Sequence, residues 1–265
     1  MKKKRECQVE SNPIQVAIDE IRYWLLRDWS FADVGAHWDH TEHYDDVNEE
    51  TYSYFRRFVD GLRLSYDLFP DDAHVLDFCA RTGNGTLYFH QQGKVRSAVC
   101  ADVSRFQGEI CRQRLHEGGL DDFGWVPVSD YRLPFAAAQF DGILFFETVE
   151  HFAQPDRLVA ELGRVTRPGG IMVLTTPNVL WEPVHALAAI AGWHHSEGPH
   201  RFIRYQRLNR MVRAAGFKVV RAETTVLVPA GPPPLIKIGE WLEARIGRRA
   251  MDWLGLRRVL VCRKR

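Results

Sequence analysis

The chain has 265 residues, of which 45% are hydrophobic and 26% are charged, so it can bury one substantial core. Its formal net charge is +1, from 35 basic and 34 acidic residues. No overall field therefore recruits DNA or long RNA, and nucleic acid is not an expected partner. No stretch approaches the roughly 18 apolar residues of a membrane span.

The cysteines and the first residues of the chain indicate the cellular compartment in which the protein is expected to reside. The five cysteines have no C-x-x-C spacing, and Cys79 and Cys100 fall in apolar runs that read as core strands. The basic start of the chain is not followed by the apolar stretch of a signal peptide. We expect reduced thiols in a cytoplasmic protein.

Residues 1–70 are rich in aromatic and acidic side chains at helical spacing and predict an N-terminal helical cap. A helix is expected to start at residues 48–51 and to carry an apolar stripe of Tyr52, Phe55, Phe58, Val59 and Leu62. Most of the aromatic residues are expected in the core. Trp38, His40, His43 and Tyr44 are the exceptions that we assign to a candidate site.

The strongest strand signal is Val75-Leu76-Asp77, which runs into a turn of mostly small residues that ends at Gly85. The turn lacks the Lys-Ser/Thr pair of a phosphate loop and the full G-x-G-x-x-G spacing of a dinucleotide site. Small residues let a backbone approach a ligand closely. The segment predicts a buried strand that presents a loop to a cofactor, with an ordinary strand-turn-helix connection as the alternative.

A second apolar run, residues 98–104, lies one strand-helix repeat downstream and contains Asp102. A carboxylate at the end of such a strand can accept both ribose hydroxyls of a nucleoside. The alternative is that Asp102 caps a helix that starts near Ser104. Further strand signals follow at residues 126–131, 140–146 and 171–178, and a Pro-Gly-Gly turn precedes the last of them.

Taken in order, the segments from Val75 to Asn178 resemble class I S-adenosylmethionine-dependent methyltransferases, in particular the ubiquinone-pathway O-methyltransferases. The resemblance implies an α/β fold with a Rossmann-like, doubly wound, seven-stranded, mostly parallel sheet in residues 71–265. It also implies S-adenosylmethionine as the cofactor. The family usually has glycine where this chain has Cys79 and Arg81.

The resemblance further implies the contacts of the cofactor. The first loop approaches its methionine part, Asp102 accepts the ribose hydroxyls, Asp130 receives the adenine amino group, and Tyr44 lies near the methyl donor. The residues expected to bind the cofactor are Asp77, Cys79, Arg81, Gly83, Asp102, Val103, Asp130, Tyr131, Phe146 and Tyr44.

The segment from Glu147 to His151 follows the fourth strand. If a helix starts here, Glu147 lies one turn from Glu150 and His151, and the three side chains can converge on a hard cation. The pattern resembles the Glu-x-x-Glu-His element of ubiquinone-pathway O-methyltransferases and small-RNA 3′-terminal 2′-O-methyltransferases, which is associated with a divalent cation such as Mg²⁺. His200 is a candidate further ligand. Without a metal, His151 or Glu147 can act as a general base, and His43 is a third catalytic candidate.

Two insertions on the acceptor side, at about residues 179–200 and 229–256, are apolar and helical in pattern, and the second carries basic residues. They are expected to pack on the parent domain, and contact with a membrane surface is the alternative. We expect methyl transfer, most readily to oxygen, on a small apolar or aromatic molecule. The alternatives are a catalytically silent scaffold, suggested by Cys79 and Arg81, and an RNA 2′-O-methyltransferase, which requires a local basic groove.

Overall fold

The protein is described by a computed structural model that covers residues 13–26, 28–39, 52–190 and 198–265. Several residues singled out from the sequence lie outside these ranges. They are His40, His43, Tyr44, the predicted helix start at residues 48–51, and Cys7.

Seven strands form one sheet in the order β3-β2-β1-β4-β5-β7-β6. The strands from β1 to β5 pair in parallel, and β7 is antiparallel to both of its neighbours. The bounds are β1 Ala73–Phe78, β2 Val95–Asp102, β3 Phe123–Pro127, β4 Phe140–Phe146, β5 Thr166–Pro177, β6 Phe217–Thr225 and β7 Arg257–Lys264. The sheet confirms the predicted Rossmann-like, doubly wound fold.

Helices cover both faces of the sheet. Their bounds are α1 Pro13–Leu26, α2 Phe31–Asp39, α3 Tyr52–Ser65, α4 Asn84–Gln91, α5 Arg105–Glu117, α6 Pro155–Val165, α7 Glu182–Ile190, α8 Tyr205–Ala214, α9 Pro233–Glu243 and α10 Arg248–Leu254. Single 3-10 turns occur at Val149–His151 and Val179–Trp181.

The central strands are apolar on both faces because helices cover them on both sides. Val75, Leu76, Ile143 and Leu144 are completely buried. Asp141 is the exception in β4, and its carboxylate accepts a hydrogen bond from the His74 backbone N–H at 2.9 Å. The central strands therefore form a rigid sheet. Because these strands are parallel, their carboxyl ends all lie at one edge of it.

The N-terminal helices supply part of this core: Tyr54, Phe58 and Leu62 are buried as expected, and Trp38, which was assigned to a candidate site, is buried as well. The predicted stripe on α3 was wrong in part, because Phe55 and Val59 are exposed. Helix α3 instead turns Tyr54, Phe58, Gly61, Leu62 and Ser65 inward. Gly61 lies against Phe146 and Val173, so this close approach sets the rotation of the helix.

Both insertions stand at the edge where the parallel strands end. Helix α7 follows β5, and residues 226–256, with α9 and α10, join the end of β6 to the start of β7. In the part of the chain that the structure describes, no helix has both the length and the apolar character needed to cross a bilayer.

Candidate active site

A narrow cleft opens at the carboxyl ends of β1, β2 and β4, beneath α2. It encloses about 220 Å³ when space open to solvent is included, but only about 10 Å³ can hold the centre of a water molecule, which is room for roughly one water. Its lining consists of Val34, Trp38, Cys79, Arg81, Asp102, Val103, Thr148, His151 and Phe152. Six of the predicted site residues are therefore brought together here: Trp38, Cys79, Arg81, Asp102, Val103 and His151.

The loop after β1 has the backbone of a glycine-rich loop although two of its glycines are replaced. Cys79 and Arg81 have φ values of 57° and 52°, in the left-handed region that glycine adopts most easily. Gly83 has a φ of 82°, and a Cβ there would lie 2.9 Å from the Cys111 sulfur. Glycine is thus required at residue 83 by packing on α5, while residues 79 and 81 retain a strained conformation, as is common at functional sites.

Asp102 holds this loop in place. Its Oδ2 accepts the Arg81 backbone N–H at 2.6 Å, and its Oδ1 accepts the Ser104 backbone N–H at 2.8 Å. Burial raises the pKa of Asp102, and these two hydrogen bonds oppose the rise. The N-cap of α5 is Ser104, whose hydroxyl accepts from the Gln107 N–H. Asp102 thus lines the cleft with both carboxylate oxygens hydrogen-bonded, and its contact with a ribose stays a prediction.

Other predicted cofactor residues lie around the cleft without lining it. Asp77 is buried, accepts a hydrogen bond from the Thr86 hydroxyl at 2.7 Å, and has its pKa raised to about 7 by burial. Phe146 packs against Phe58 and Phe89 in the core. The Asp130 carboxylate accepts the backbone N–H of Tyr131 at 2.5 Å, and the Tyr131 ring packs on Phe31 and Phe152.

The Arg81 side chain crosses the cleft. Its guanidinium lies 4.5 Å from the centroid of the Trp38 ring, and its Nη2 donates to the backbone carbonyl of Glu147 at 3.0 Å. A cation over an indole face is held electrostatically. Arg81 therefore links the loop after β1, the end of β4 and helix α2, and it fills part of the space that a ligand would need.

The prediction that Glu147, Glu150 and His151 converge on a metal was wrong. No α-helix starts at Glu147, which has a φ of 45° and precedes a single 3-10 turn. Its carboxylate turns to Arg257 on β7, with Oε1 3.0 Å from Nε, while the Glu150 carboxylate accepts the Thr176 hydroxyl at 2.9 Å. Among the described residues, no group of three or more His, Cys, Asp or Glu side chains is placed to hold a metal.

His151 is buried against the cleft in a defined orientation. Its Nδ1 lies 3.1 Å from the backbone carbonyl of Pro199, and its own carbonyl accepts from the Trp29 indole at 2.8 Å. Because a carbonyl can only accept, this contact assigns the proton to Nδ1, so the lone pair of the neutral ring is on Nε2. His200, expected as a metal ligand, has its Nδ1 2.8 Å from the Gly198 carbonyl and its Nε2 3.9 Å from Glu20.

Trp29, Pro199 and Arg257 also contribute to this site and were not predicted from the sequence. Their contacts with His151 and Glu147 join residues 122, 48 and 110 positions apart. Only Arg257 carried a local signal, because it is one of two basic residues that directly precede the apolar run of residues 259–262.

A family model described as "Methyltransferase domain" matches residues 47–222. Among curated proteins, the methyltransferase GfsG of Streptomyces halstedii is 37% identical over 28% of this chain and 27% of its own length. The ubiquinone biosynthesis O-methyltransferase of Mesorhizobium japonicum is 34% identical over 44% of this chain and 48% of its own length. The chain thus spans less than half of the length of these relatives.

The fold also matches a solved structure with a bound product of the cofactor. The 1,6-didemethyltoxoflavin-N1-methyltransferase of Burkholderia thailandensis, with 1,6-didemethyltoxoflavin and S-adenosylhomocysteine, superposes with a TM-score of 0.60 at 18% identity. The match covers 88% of each chain. At this identity the likeness concerns the fold.

Proposed function

Because this chain belongs to the class I S-adenosylmethionine-dependent methyltransferases, we propose that it transfers a methyl group from S-adenosylmethionine to a hydroxyl oxygen of a small apolar or aromatic molecule. The observation that carries the proposal is His151, oriented at the cleft with its Nδ1 on the Pro199 carbonyl. Transfer to oxygen is also supported by the likeness to a ubiquinone biosynthesis O-methyltransferase.

The chemistry of the cleft fits the cofactor. The loop after β1 brings backbone close to the cleft, and Asp102 at the end of β2 can meet the ribose hydroxyls. The bound cofactor supplies an activated sulfonium methyl. The cleft is smaller than sites for ligands of this size, so binding requires Arg81, Trp38 or both to move.

The protein then has to orient the acceptor and remove its proton. His151 is the group suited to the second task, since its Nε2 can take the hydroxyl proton while Nδ1–H stays on the Pro199 carbonyl. With the cofactor bound, methyl transfer would form the bond between the acceptor oxygen and the methyl carbon and break the carbon–sulfur bond, and the His151 imidazolium would then lose the proton to solvent. Glu147 is engaged by Arg257, so we assign the base to His151 rather than to Glu147.

The walls of the cleft favour an apolar acceptor. Val34, Trp38 and Phe152 contribute apolar surface, and Thr148 contributes a hydroxyl. An aromatic or aliphatic body packed on such walls places its hydroxyl in a nearly water-free setting, where alignment with the methyl donor supplies much of the acceleration.

A second candidate function is that of a catalytically silent scaffold. The observation that favours it is the Arg81 guanidinium, which lies across the cleft on Trp38. If the Arg81 contacts with Trp38 and Glu147 are too stable to open, the fold persists without cofactor turnover. Binding of S-adenosylhomocysteine separates this candidate from the enzyme.

The test uses S-adenosylmethionine labelled in its methyl group, with phenols and aliphatic alcohols as acceptors and analysis of the methylated product. We expect an O-methyl product. His151→Gln should lower the rate by about 10²–10⁴-fold, remove the acid limb of the pH–rate profile and leave S-adenosylhomocysteine affinity within about twofold.

The matched control is His116→Gln, because His116 is an exposed histidine on α5 that pairs with Asp121. Its rate should equal that of the wild type. A phenol methylated on a ring carbon would contradict the oxygen assignment. Failure to bind S-adenosylhomocysteine, measured by calorimetry, would favour the silent scaffold.

A further inference from the structure

The connection between β6 and β7 carries a surface that the proposed reaction does not use. Residues 226–256 leave the sheet at the end of β6 and return at the start of β7, so α9 and α10 stand on the same edge as the cleft. Helix α9 turns Gly239 inward against Val228, and α10 buries Met251. The opposite sides of both helices face solvent.

Large apolar side chains occupy this outer side. Trp253 is 68% exposed, and Ile238, Trp241 and Leu254 are each more than half exposed. Between and beside them are the exposed basic residues of the same segment. We call this set the α9–α10 surface, and it consists of Leu235, Lys237, Ile238, Trp241, Arg245, Arg248, Arg249, Trp253 and Leu254.

In residues 226–256 the acidic and the basic side chains differ in what they contact. All three acids contact the parent domain: Glu240 accepts the Tyr52 hydroxyl, Glu243 pairs with Arg56, and Asp252 accepts the Thr224 hydroxyl. The four basic residues, Lys237, Arg245, Arg248 and Arg249, are exposed, although Arg248 also donates to the Ala222 backbone carbonyl on β6. The negative charges are thus used in docking the segment, and the outer side is left cationic.

Further apolar residues continue this surface along the same edge. The Trp181 indole donates to the Leu254 carbonyl at 2.9 Å, which places the 3-10 turn after β5 beside the end of α10. Leu180, Val184 and Leu187 are exposed on that turn and on α7, and Leu187 is 67% exposed. An apolar surface of this extent on one edge is more than the scattered apolar residues of an ordinary exterior.

We propose that the α9–α10 surface binds the headgroup region of an anionic lipid bilayer, with both helices lying in the interface. Exposed tryptophan and aliphatic side chains beside arginine and lysine are the pattern of interfacial helices. Each basic residue near an anionic bilayer adds attraction that salt screens. Pairing of this surface with a second copy is disfavoured, because it would place two cationic faces against each other.

The test is flotation of the full chain with phosphatidylcholine vesicles that contain 0% or about 50% phosphatidylglycerol. We expect binding to the anionic vesicles only, weakened by salt. Lys237→Glu with Arg249→Glu should lower vesicle affinity at least about tenfold. Among the described residues, neither side chain forms an ion pair, so the fold should be retained. Trp241→Ala with Trp253→Ala should produce a comparable loss through the apolar contribution.

The matched control is Arg96→Glu with Lys218→Glu, since both residues are exposed near the amino ends of β2 and β6, at the opposite edge of the sheet. This variant should bind vesicles within about twofold of the wild type. Equal losses in the control, equal binding to both vesicle types, or no vesicle binding by the wild type would overturn the proposal. A wild-type dimer that Trp253→Ala dissociates, without vesicle binding, would identify a second copy as the partner instead.

Discussion

The two sides of the cleft position their polar groups in different ways. We call them the cofactor side, around Asp77 and Asp102, and the acceptor side, around Glu147 and His151, after the ligands that we propose they bind. On the cofactor side, Asp77 bonds to Thr86 and Asp102 bonds to Arg81 and Ser104, with separations of 9, 21 and 2 residues. On the acceptor side, Glu147 is held by Arg257 and His151 by Trp29 and Pro199, with separations of 110, 122 and 48 residues. One side is assembled within neighbouring strand-helix repeats, and the other depends on the whole fold.

This difference explains why the position of the loop after β1 was predicted correctly and the direction of the Glu147 side chain was not. A strand, its loop and the next helix form a short unit whose geometry follows from local sequence, so the loop around Asp102 lies where the pattern predicted. The direction of the Glu147 side chain depends on a strand that enters the sheet more than a hundred residues later. The comparison also predicts different responses to substitution on the two sides.

The largest effect is expected on the acceptor side. Arg257→Met leaves the Glu147 carboxylate, only 14% exposed, without its ion-pair partner. It also removes the hydrogen bond from Arg257 Nη1 to the Ser53 carbonyl. We expect the free energy of unfolding, measured in urea, to fall by about 3–5 kcal/mol.

A second substitution separates charge from packing. Glu147→Gln in the Arg257→Met background removes the stranded charge and should recover a large part of the loss. If the double variant is no more stable than Arg257→Met alone, the loss of stability does not come from the unpaired Glu147 carboxylate.

An intermediate effect is expected on the cofactor side and depends on pH. Burial raises the pKa of Asp77 to about 7, from an ordinary value of 3.8, so the native state keeps a proton that the unfolded state has released. The stabilisation is complete below about pH 4 and is lost as the pH rises through 7. Between pH 5 and pH 8 the wild type should therefore lose about 2 kcal/mol of unfolding free energy more than Asp77→Asn.

Urea unfolding of both proteins at the two pH values measures this difference. Asparagine keeps an acceptor for the Thr86 hydroxyl, so the variant is expected to fold. Parallel pH dependence in the two proteins would show that Asp77 ionises normally within the native state.

The smallest effect concerns Arg81, where the two sides meet. Arg81→Gly removes the guanidinium from Trp38 and from the Glu147 carbonyl and relieves a positive φ of 52°. Because the cleft gains space and the contact that must open is lost, S-adenosylhomocysteine should bind about fivefold tighter by calorimetry, which corresponds to about 1 kcal/mol.

Asp102→Ala serves as the reference and should weaken the same binding by about 1–3 kcal/mol. Weaker binding by Arg81→Gly would instead show that the guanidinium contacts the cofactor. Binding by the glycine variant alone, with none by the wild type, would favour the silent scaffold.

The sequence by itself determined the order of strands and helices, the family, and the loop between β1 and α4. Buried strands need continuous apolar runs, and turns need small residues, so short segments of the sequence are enough to predict these elements. Cys79 and Arg81 adopt the left-handed conformation although neither is glycine, and Asp102 holds the loop through the Arg81 backbone N–H.

Only the tertiary structure decided how the acceptor side works. The pattern from Glu147 to His151 predicts converging ligands on a helix, but the chain makes a 3-10 turn there and sends Glu147 to Arg257. The proton position on His151 depends on the Pro199 carbonyl, and the course of the Arg81 side chain depends on Trp38. A side chain's direction is set by the partners that surround it, and here those partners come from distant parts of the chain.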